Sequence, residues 1–253
     1  MRVTLVGHAT VLVELDGVRF LTDPLLRTRR MLLRAAPRTW NPARGERLDA
    51  VLLSHFHGDH YDPGSLRLLD PNTPVVGPPG TARRLRRLGR RTVTELRPGE
   101  STAVQQVTVR ATEARHGRVP GPFRSIALGF LLLGSERLYF AGDTDLFPGL
   151  ADLAGERLDV ALVPIGGWGP RLGAGHLDPR RAAEAIRLIR PRVAVPIHWG
   201  FLRPLGLGSL SPRYLTHPGR IFARLAAEIA PDVDVRILEP GESLDVAAGS
   251  AGG

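Results

Sequence analysis

The chain has 253 residues, 43% of them hydrophobic, a net charge of +9 and no cysteine. That length suits an α/β or sandwich-type domain with a large core, and without cysteine neither a disulfide framework nor a thiolate metal site is available, so any metal must be held by His, Asp or Glu. The charge points towards nucleic acid or an anionic membrane, but all 34 basic residues are Arg and Asn occurs only at Asn41 and Asn72; that reads as G+C-rich, bacterial coding bias rather than a binding footprint.

The opening, MRVTLVGHATVLVEL, starts directly with strand-like sequence and lacks the charged, apolar and cleavage regions of a signal peptide. The longest apolar run, around Ile126 to Leu133, is far below the about 18 residues a spanning helix needs. A soluble, cytoplasmic protein is expected.

Residues 3–7, 10–15 and 18–23 are rich in β-formers, with Asp16-Gly17 as a two-residue hairpin turn. Residues 25–47 show no clean period and read as a long Arg-rich loop. It would be solvated, lie on an anionic membrane surface or steer an anionic substrate. LDAVLLSH (48–55) is an apolar run of the buried-strand type. Asp62-Pro63 opens a short helix, and 80–89 reads as an amphipathic helix capped by Thr81 and ended by Gly89.

Residues 106–116 alternate as a half-buried strand does, and IALGFLLLG, RLYFAGD, VALVPIG and VAVPIHW are further strands. Asp178-Pro179 caps a helix over 180–190, a last helix covers about 219–229, and VRILEPGESLDV reads as a closing hairpin. One domain is expected over 1–245, with 246–253 as a disordered tail. The stretches RPGES (97–101) and EPGES (239–243) form a weak internal echo, which two similar half-domains or chance explain about equally.

The polar residues follow the strands. His8 follows the first; His55, His57, Asp59 and His60 follow AVLLS; His116, Asp143 and His198 each follow another. Sites in layered α/β folds gather outside the carboxyl ends of strands, and imidazole and carboxylate are good ligands for divalent ions. In SHFHGDHYD (54–62), His55 and His57 are two apart and, in extended chain, face one ion together. Gly58 lets the chain turn so that Asp59 and His60 face a second. Asp143 suits a bridging carboxylate, and two ions about 3.5–4 Å apart hold a hydroxide at neutral pH.

SHFHGDH resembles the HxHxDH motif of the metallo-β-lactamase superfamily, and the order His116, Asp143, His198 is similar to its remaining ligands. The stretches 7–24 (GHATVLVELDGVRFLTDP), 140–147 (FAGDTDLF), 163–171 (VPIGGWGPR), 175–179 (GHLDP) and 196–200 (PIHWG) resemble the branch with L-ascorbate-6-phosphate lactonase and N-acyl-phosphatidylethanolamine-hydrolysing phospholipase D. The resemblance implies an α/β fold: a four-layer αβ/βα sandwich of two mixed β-sheets flanked by helices. It also implies two divalent metal ions, zinc foremost with manganese or iron as alternatives, and hydrolysis of an ester, lactone or phosphodiester bond of a small, anionic substrate.

Carried over residue by residue, one metal takes His55, His57 and His116, the other Asp59, His60 and His198, and Asp143 bridges. Asp59 also orients the nucleophile, and His176 assists the leaving group, the bland alternative for His176 being an idle loop histidine. His8 and Asp23 are expected beside the ligands or as a core histidine and a turn residue; Trp168, with Trp199 and Phe56, lines the pocket or packs in the core. Alternative functions are an N-acyl-phospholipid phosphodiesterase at a membrane, an RNA-processing nuclease and a non-enzymatic metal-holding protein. A separate RNA-grasping module is missing, which counts against the nuclease; the complete ligand set counts against the last.

Overall fold

The structure, a computed structural model, describes residues 1–27, 29–30, 33–35, 47–116, 126–167, 172–204 and 217–247. Trp168, most of the Arg-rich segment and residues 248–253 lie outside the described residues.

The chain opens with a meander of β1 (Arg2–Gly7), β2 (Thr10–Leu15) and β3 (Val18–Thr22), followed by short strands β4 (Arg29–Arg30) and β5 (Leu33–Ala35). Strands β6 (Ala50–Leu52), β7 (Val75–Gly77) and β8 (Val93–Glu95) alternate with helices α1 (Pro63–Leu66) and α2 (Thr81–Arg86). A second meander follows: β9 (Ser101–Val104), β10 (Val107–Glu113), β11 (Leu128–Leu133) and β12 (Arg137–Phe140). A 3-10 helix (Pro148–Glu156), β13 (Val160–Pro164), α3 (Pro179–Ile189), β14 (Val193–Ile197), β15 (Leu202–Pro204), α4 (Pro218–Ile229), β16 (Asp234–Val235) and β17 (Ser243–Asp245) complete it.

Two seven-stranded sheets result, ordered β17-β1-β2-β3-β6-β7-β8 and β9-β10-β11-β12-β13-β14-β16, with β15-β5-β4 as a small third sheet. In each large sheet the first four strands pair antiparallel and the rest parallel. The alternation of side chains along a strand divides the apolar residues between two faces. Val3, Val11, Val13 and Phe20 meet Val109, Phe130, Leu132 and Phe140 between the sheets. Leu12, Leu21, Val51 and Leu53 face outward and pack with Leu66 of α1 and Leu85 of α2. Leu131, Tyr139, Ala161 and Val163 face the opposite way, under Ile186 and Ile189 of α3 and Phe222 of α4. The layers are therefore helix, sheet, sheet, helix, and strands buried on both faces read as continuous apolar runs.

Local signals place the ends of these elements. Asp16 and Gly17 both have positive φ (52° and 78°), as a two-residue turn between paired Leu15 and Val18 requires. Asp62 caps α1 by accepting from the Ser65 N–H at 3.1 Å, and Asp178 caps α3 by accepting from the Arg181 N–H at 2.9 Å.

Two expectations are corrected. Thr81 is the first helical residue of α2, and the cap position belongs to Gly80, in left-handed backbone (φ 96°); the Thr81 hydroxyl donates instead to the Pro78 carbonyl at 2.6 Å. The closing hairpin does not form: β16 pairs with β14 in the second sheet, whereas β17 pairs with β1 in the first. Glu239–Ser243 is the crossing between sheets, and its turn matches that of Arg97–Ser101. The Glu242 and Glu100 carboxylates accept from the N–H three residues back, at 2.9 and 2.7 Å. Gly241 and Gly99, at φ 97° and 89°, donate to Leu5 and Ala111 of the neighbouring strands. The sequence echo thus marks the same structural step in two half-domains, the entry to edge strands β17 and β9.

Candidate metal centre

The strand ends converge. His8 follows β1, His55 to His60 follow β6, His116 follows β10, Asp143 follows β12 and His198 follows β14. Their backbone is forced into uncommon conformations there: His8, Asp23 and His198 have φ of 56°, 31° and 64°, of the kind that persists only where surroundings over-determine it. Gly142, at φ 60°, brings Asp143 in so closely that a Cβ would stand 2.7 Å from both the Leu128 carbonyl and Ser54 Cβ. The two sheets are tied at this end by His198 N–H to His8 O (3.0 Å) and Leu128 N–H to Ser54 O (2.9 Å). The turn after His57 is helical, with the His60 and Tyr61 N–H groups both on the His57 carbonyl. Gly58 is not among the positive-φ residues, so the chain reverses there without the left-handed freedom expected of it.

Four groups of donor atoms, each within 4.8 Å, form among the described residues: Asp23, His55 and His60; His116, Asp143 and His176; and two separate sets, His8, Asp59, His60 and His198, and His55, His57 and His116. Asp143 lies between these last two, Oδ2 at 3.2 Å from His60 Nε2 and 3.9 Å from His55 Nε2, Oδ1 at 3.3 Å from His198 Nε2. Asp59 Oδ2 is 3.3 Å from His198 Nε2 and 3.8 Å from His60 Nε2.

The outer hydrogen bonds fix which ring nitrogens face inward as lone pairs. A carbonyl only accepts, so His198 Nδ1 donates to Gly166 O (2.9 Å) and His116 Nδ1 to Gly175 O (2.8 Å). The buried Asp23 carboxylate accepts from His60 Nδ1 (2.7 Å), the Ser54 N–H (2.7 Å) and the Ser54 hydroxyl (2.5 Å). That hydroxyl, its proton committed, accepts from His55 Nδ1 at 2.9 Å. The Nε2 atoms of His55, His60, His116 and His198 all then turn inward. His60 Nε2 meets His198 Nε2 at 3.0 Å, and His116 Nε2 meets His57 Nδ1 at 2.7 Å. No hydrogen-bond donor reaches the buried His55 Nε2 or Asp143 Oδ1. Facing lone pairs and orphaned buried acceptors are costly unless a cation lies among them, and neutral imidazole held by outer acceptors is how proteins present ligands to metals. The residues fit a divalent metal, and nitrogen and oxygen donors suit zinc, manganese or iron.

The charges agree. Burial opposes ionisation of Asp143 and Asp59, but the neighbouring imidazoles, His198 and His60 for Asp143 and His60, His198 and His8 for Asp59, outweigh it and hold both well below the usual carboxylate range. Burial, with His60 beside it, pushes His55 well below 6.5. His60 is the exception: burial lowers it, but Asp143, Asp59 and Asp23 outweigh that and raise it. The carboxylates therefore draw in a positive charge, as a proton on His60 or as a metal ion.

His8 directs Nε2 at Asp59 Oδ2 (3.1 Å) and lies tilted against His198, and burial followed by His198 lowers its pKa to about 4, so it donates as a neutral ring. His176 stands at the mouth, Nδ1 on Gly173 O (3.1 Å) and Nε2 3.4 Å from Asp143 Oδ2. Asp23, expected as a neighbour of the ligands or a turn residue, braces both His60 and, through Ser54, His55. Ser54 carries no signal of that role in the sequence. Trp199 anchors its indole N–H on Pro196 O at 3.2 Å and packs on Gly219, while Phe56 lies under the Arg84 guanidinium; both are packing residues. Arg27, the first charge of the Arg-rich segment, forms two 2.8 Å bonds with Asp62 at the α1 cap.

The family match agrees with this geometry. A family model described as a β-lactamase superfamily domain matches residues 18–199. The chain belongs to the β-lactamase superfamily. A metal-dependent hydrolase of the UPF0173 group from Methanopyrus kandleri is 32% identical over 253 residues, covering 97% of this chain and 100% of that one. N-acyl-phosphatidylethanolamine-hydrolyzing phospholipase D 1 of Caenorhabditis elegans is 33% identical over 224 residues, 78% of this chain but 63% of that protein, so this chain spans less than two thirds of it. Among solved structures, Igni18, a metallo hydrolase from Ignicoccus hospitalis, superposes with a TM-score of 0.70 at 22% identity, covering 96% of this chain and 97% of that one, which bears on the fold alone. Among the described residues no helix is long and apolar enough to cross a membrane.

Proposed function

We propose that the protein is a dinuclear metal-dependent hydrolase that cleaves an ester, lactone or phosphodiester bond in a small, anionic substrate. The observation that carries this reading is the inward convergence of imidazole lone pairs in two sets, with the orphaned Asp143 Oδ1 between them. In this reading His55, His57 and His116 would hold one ion and Asp59, His60 and His198 the other, with Asp143 placed to be shared between them. When bound, the two ions, zinc foremost, supply an activated water and stabilise the negative charge that develops on the scissile group.

The chain's own part is orientation and proton handling. His55, His60, His198 and Asp143 are buried and form the floor; His57, Asp59, His116 and His176 are half-buried and form the open side from which substrate approaches. Asp59, held on one side by His8, aims the nucleophile. His176 has Nδ1 committed to Gly173, so Nε2 is the atom that delivers a proton to the leaving group. The hydrogen bond to Asp143 raises its pKa from the ordinary 6.5, the direction that favours a proton donor.

Elemental analysis of the purified wild type and Asp143→Ala, with a screen of lactones, esters and phosphodiesters, tests the reading. Near two metals per chain in the wild type, fewer in the variant, and a rate loss of about a thousandfold or more are expected, since metal stabilisation is worth several kcal/mol. One metal that Asp143→Ala leaves in place would overturn it. A second reading, an N-acyl-phospholipid phosphodiesterase at a membrane surface, is favoured by the Caenorhabditis elegans relative; co-sedimentation with anionic liposomes separates the two.

A further inference from the structure

We infer that Asp145 and Arg181, neither of which belongs to the ligand set, form a clamp that positions His116 and His176 together through Gly175. The inference rests on the two-metal reading. Gly175 is held from both sides: its carbonyl accepts the His116 Nδ1–H at 2.8 Å, and its N–H donates to Asp145 Oδ2 at 3.3 Å. Its φ of 86° is one that residues with a side chain adopt poorly. His176 is the next residue, and its carbonyl lies 3.5 Å from Arg181 Nη1. Arg181, in the first turn of α3, also pairs with the Asp145 carboxylate.

Asp145 is itself rooted in the strand ends. Its N–H donates to Arg115 O at 2.7 Å, and the Arg115 N–H donates to Thr144 Oγ1 at 2.9 Å. The residues flanking His116 and Asp143 are thus joined, and the Asp145 side chain reaches on to fix Gly175. The Asp145–Arg181 pair is partly exposed, with side-chain accessibilities of 25% and 39%, and an exposed pair alone stabilises a fold little. What singles this pair out is where its bonds end, on the N–H of Gly175, whose carbonyl holds the His116 ring, and on the carbonyl of His176. Removing a partner of a metal-ligating histidine weakens metal binding by 10- to 100-fold. Asp145 acts one residue further out, so about tenfold is expected.

The test is a chelator titration of the zinc-loaded protein and cobalt absorption of the cobalt-loaded protein, for wild type, Asp145→Ala, Asp145→Asn, Arg181→Ala and His116→Ala. In Asp145→Ala one of the two metals should leave about tenfold more readily while the other holds as in the wild type. The cobalt band that shifts should be the one His116→Ala abolishes. Asp145→Asn keeps an acceptor for Gly175 and should recover most of the affinity, and Arg181→Ala should move the same band less. Unchanged release of both metals would overturn the clamp. So would equal weakening of both together with a lower melting temperature of the metal-free protein, the signature of a merely structural pair. A wild type that binds a single metal would sink the two-metal reading by itself; the clamp would then stand only if that metal leaves more readily from Asp145→Ala.

Discussion

The two half-domains have the same strand plan but divide the labour at the centre. β1 and β10 occupy equivalent places, as do β3 and β12, and β7 and β14. At the ends of the second-sheet strands stand His116, Asp143 and His198, all with donor atoms facing the centre. At the ends of their first-sheet counterparts stand His8, Asp23 and Gly77. His8 and Asp23 hold Asp59 and His60 in place, and the first half presents its donor atoms from the one loop after β6. Topology fixes where a strand end points. Whether the residue there is a ligand or a brace depends on what its neighbours need, and the polar atoms at equivalent positions are not interchangeable.

Exchanging the roles at the Asp23 and Asp143 positions should therefore fail. Asp23→Ala is expected to have the largest effect of the braces. It orphans the buried Ser54 N–H, which costs about 1–3 kcal/mol, and frees the His60 and His55 rings, so metal affinity should fall about 10- to 100-fold. Both metals should weaken, because the one carboxylate reaches His60 directly and His55 through Ser54. Calorimetric melting of the metal-free protein and chelator titration of the loaded one measure the two parts separately. An Asp23→Ala protein that keeps both metals as tightly as the wild type would show that the braces are dispensable.

His8→Ala should be milder and more selective. It removes a donor to Asp59 alone, so only the metal held with Asp59, His60 and His198 should loosen, by about tenfold. His8→Gln keeps a donor on a flexible chain and should recover part of that loss. If His8→Ala loosened the metal held by His55 and His57 equally, the division between the two sets would not be functional.

Much of this was legible in the sequence, for definite reasons. Strands such as VTLVG and VAVPI are buried on both faces and read as apolar runs, and the candidate ligands fall at their ends because that is where the chain leaves the core. The HxHxDH spacing registers because four candidate ligands lie within six residues. What escaped detection depends on contacts distant in sequence. Nothing in EPGESLDV says that β17 leaves β16 for the other sheet; the pairing with β1 decides it. Strands β7, β8 and β9 are three or four residues long, too short for a period to register. Ser54 and Asp145 look like ordinary polar residues beside a motif, and only the positions of Asp23 and Gly175, far along the chain, give them their roles.

The halves also meet at the end away from the metal centre, and that contact should be worth the least. The Asp16 carboxylate, in the β2–β3 turn, accepts from the Ser135 hydroxyl and N–H in the β11–β12 turn. The hydroxyl and then the N–H hold its pKa below the ordinary 3.8. A carboxyl depressed in the folded state stabilises above its unfolded pKa, and that stabilisation is lost as pH falls through the folded value. Ser135→Ala removes the hydroxyl and leaves the N–H. Asp16 is exposed, so after solvent screening the loss at neutral pH should be a few tenths of a kcal/mol. Urea unfolding at pH 7 should resolve that small difference, and as pH falls from about 4, where the unfolded carboxyl protonates, through the lower folded value, wild type and variant should converge. A difference that persisted or grew in acid would mean that the hydroxyl acts through something other than the Asp16 charge.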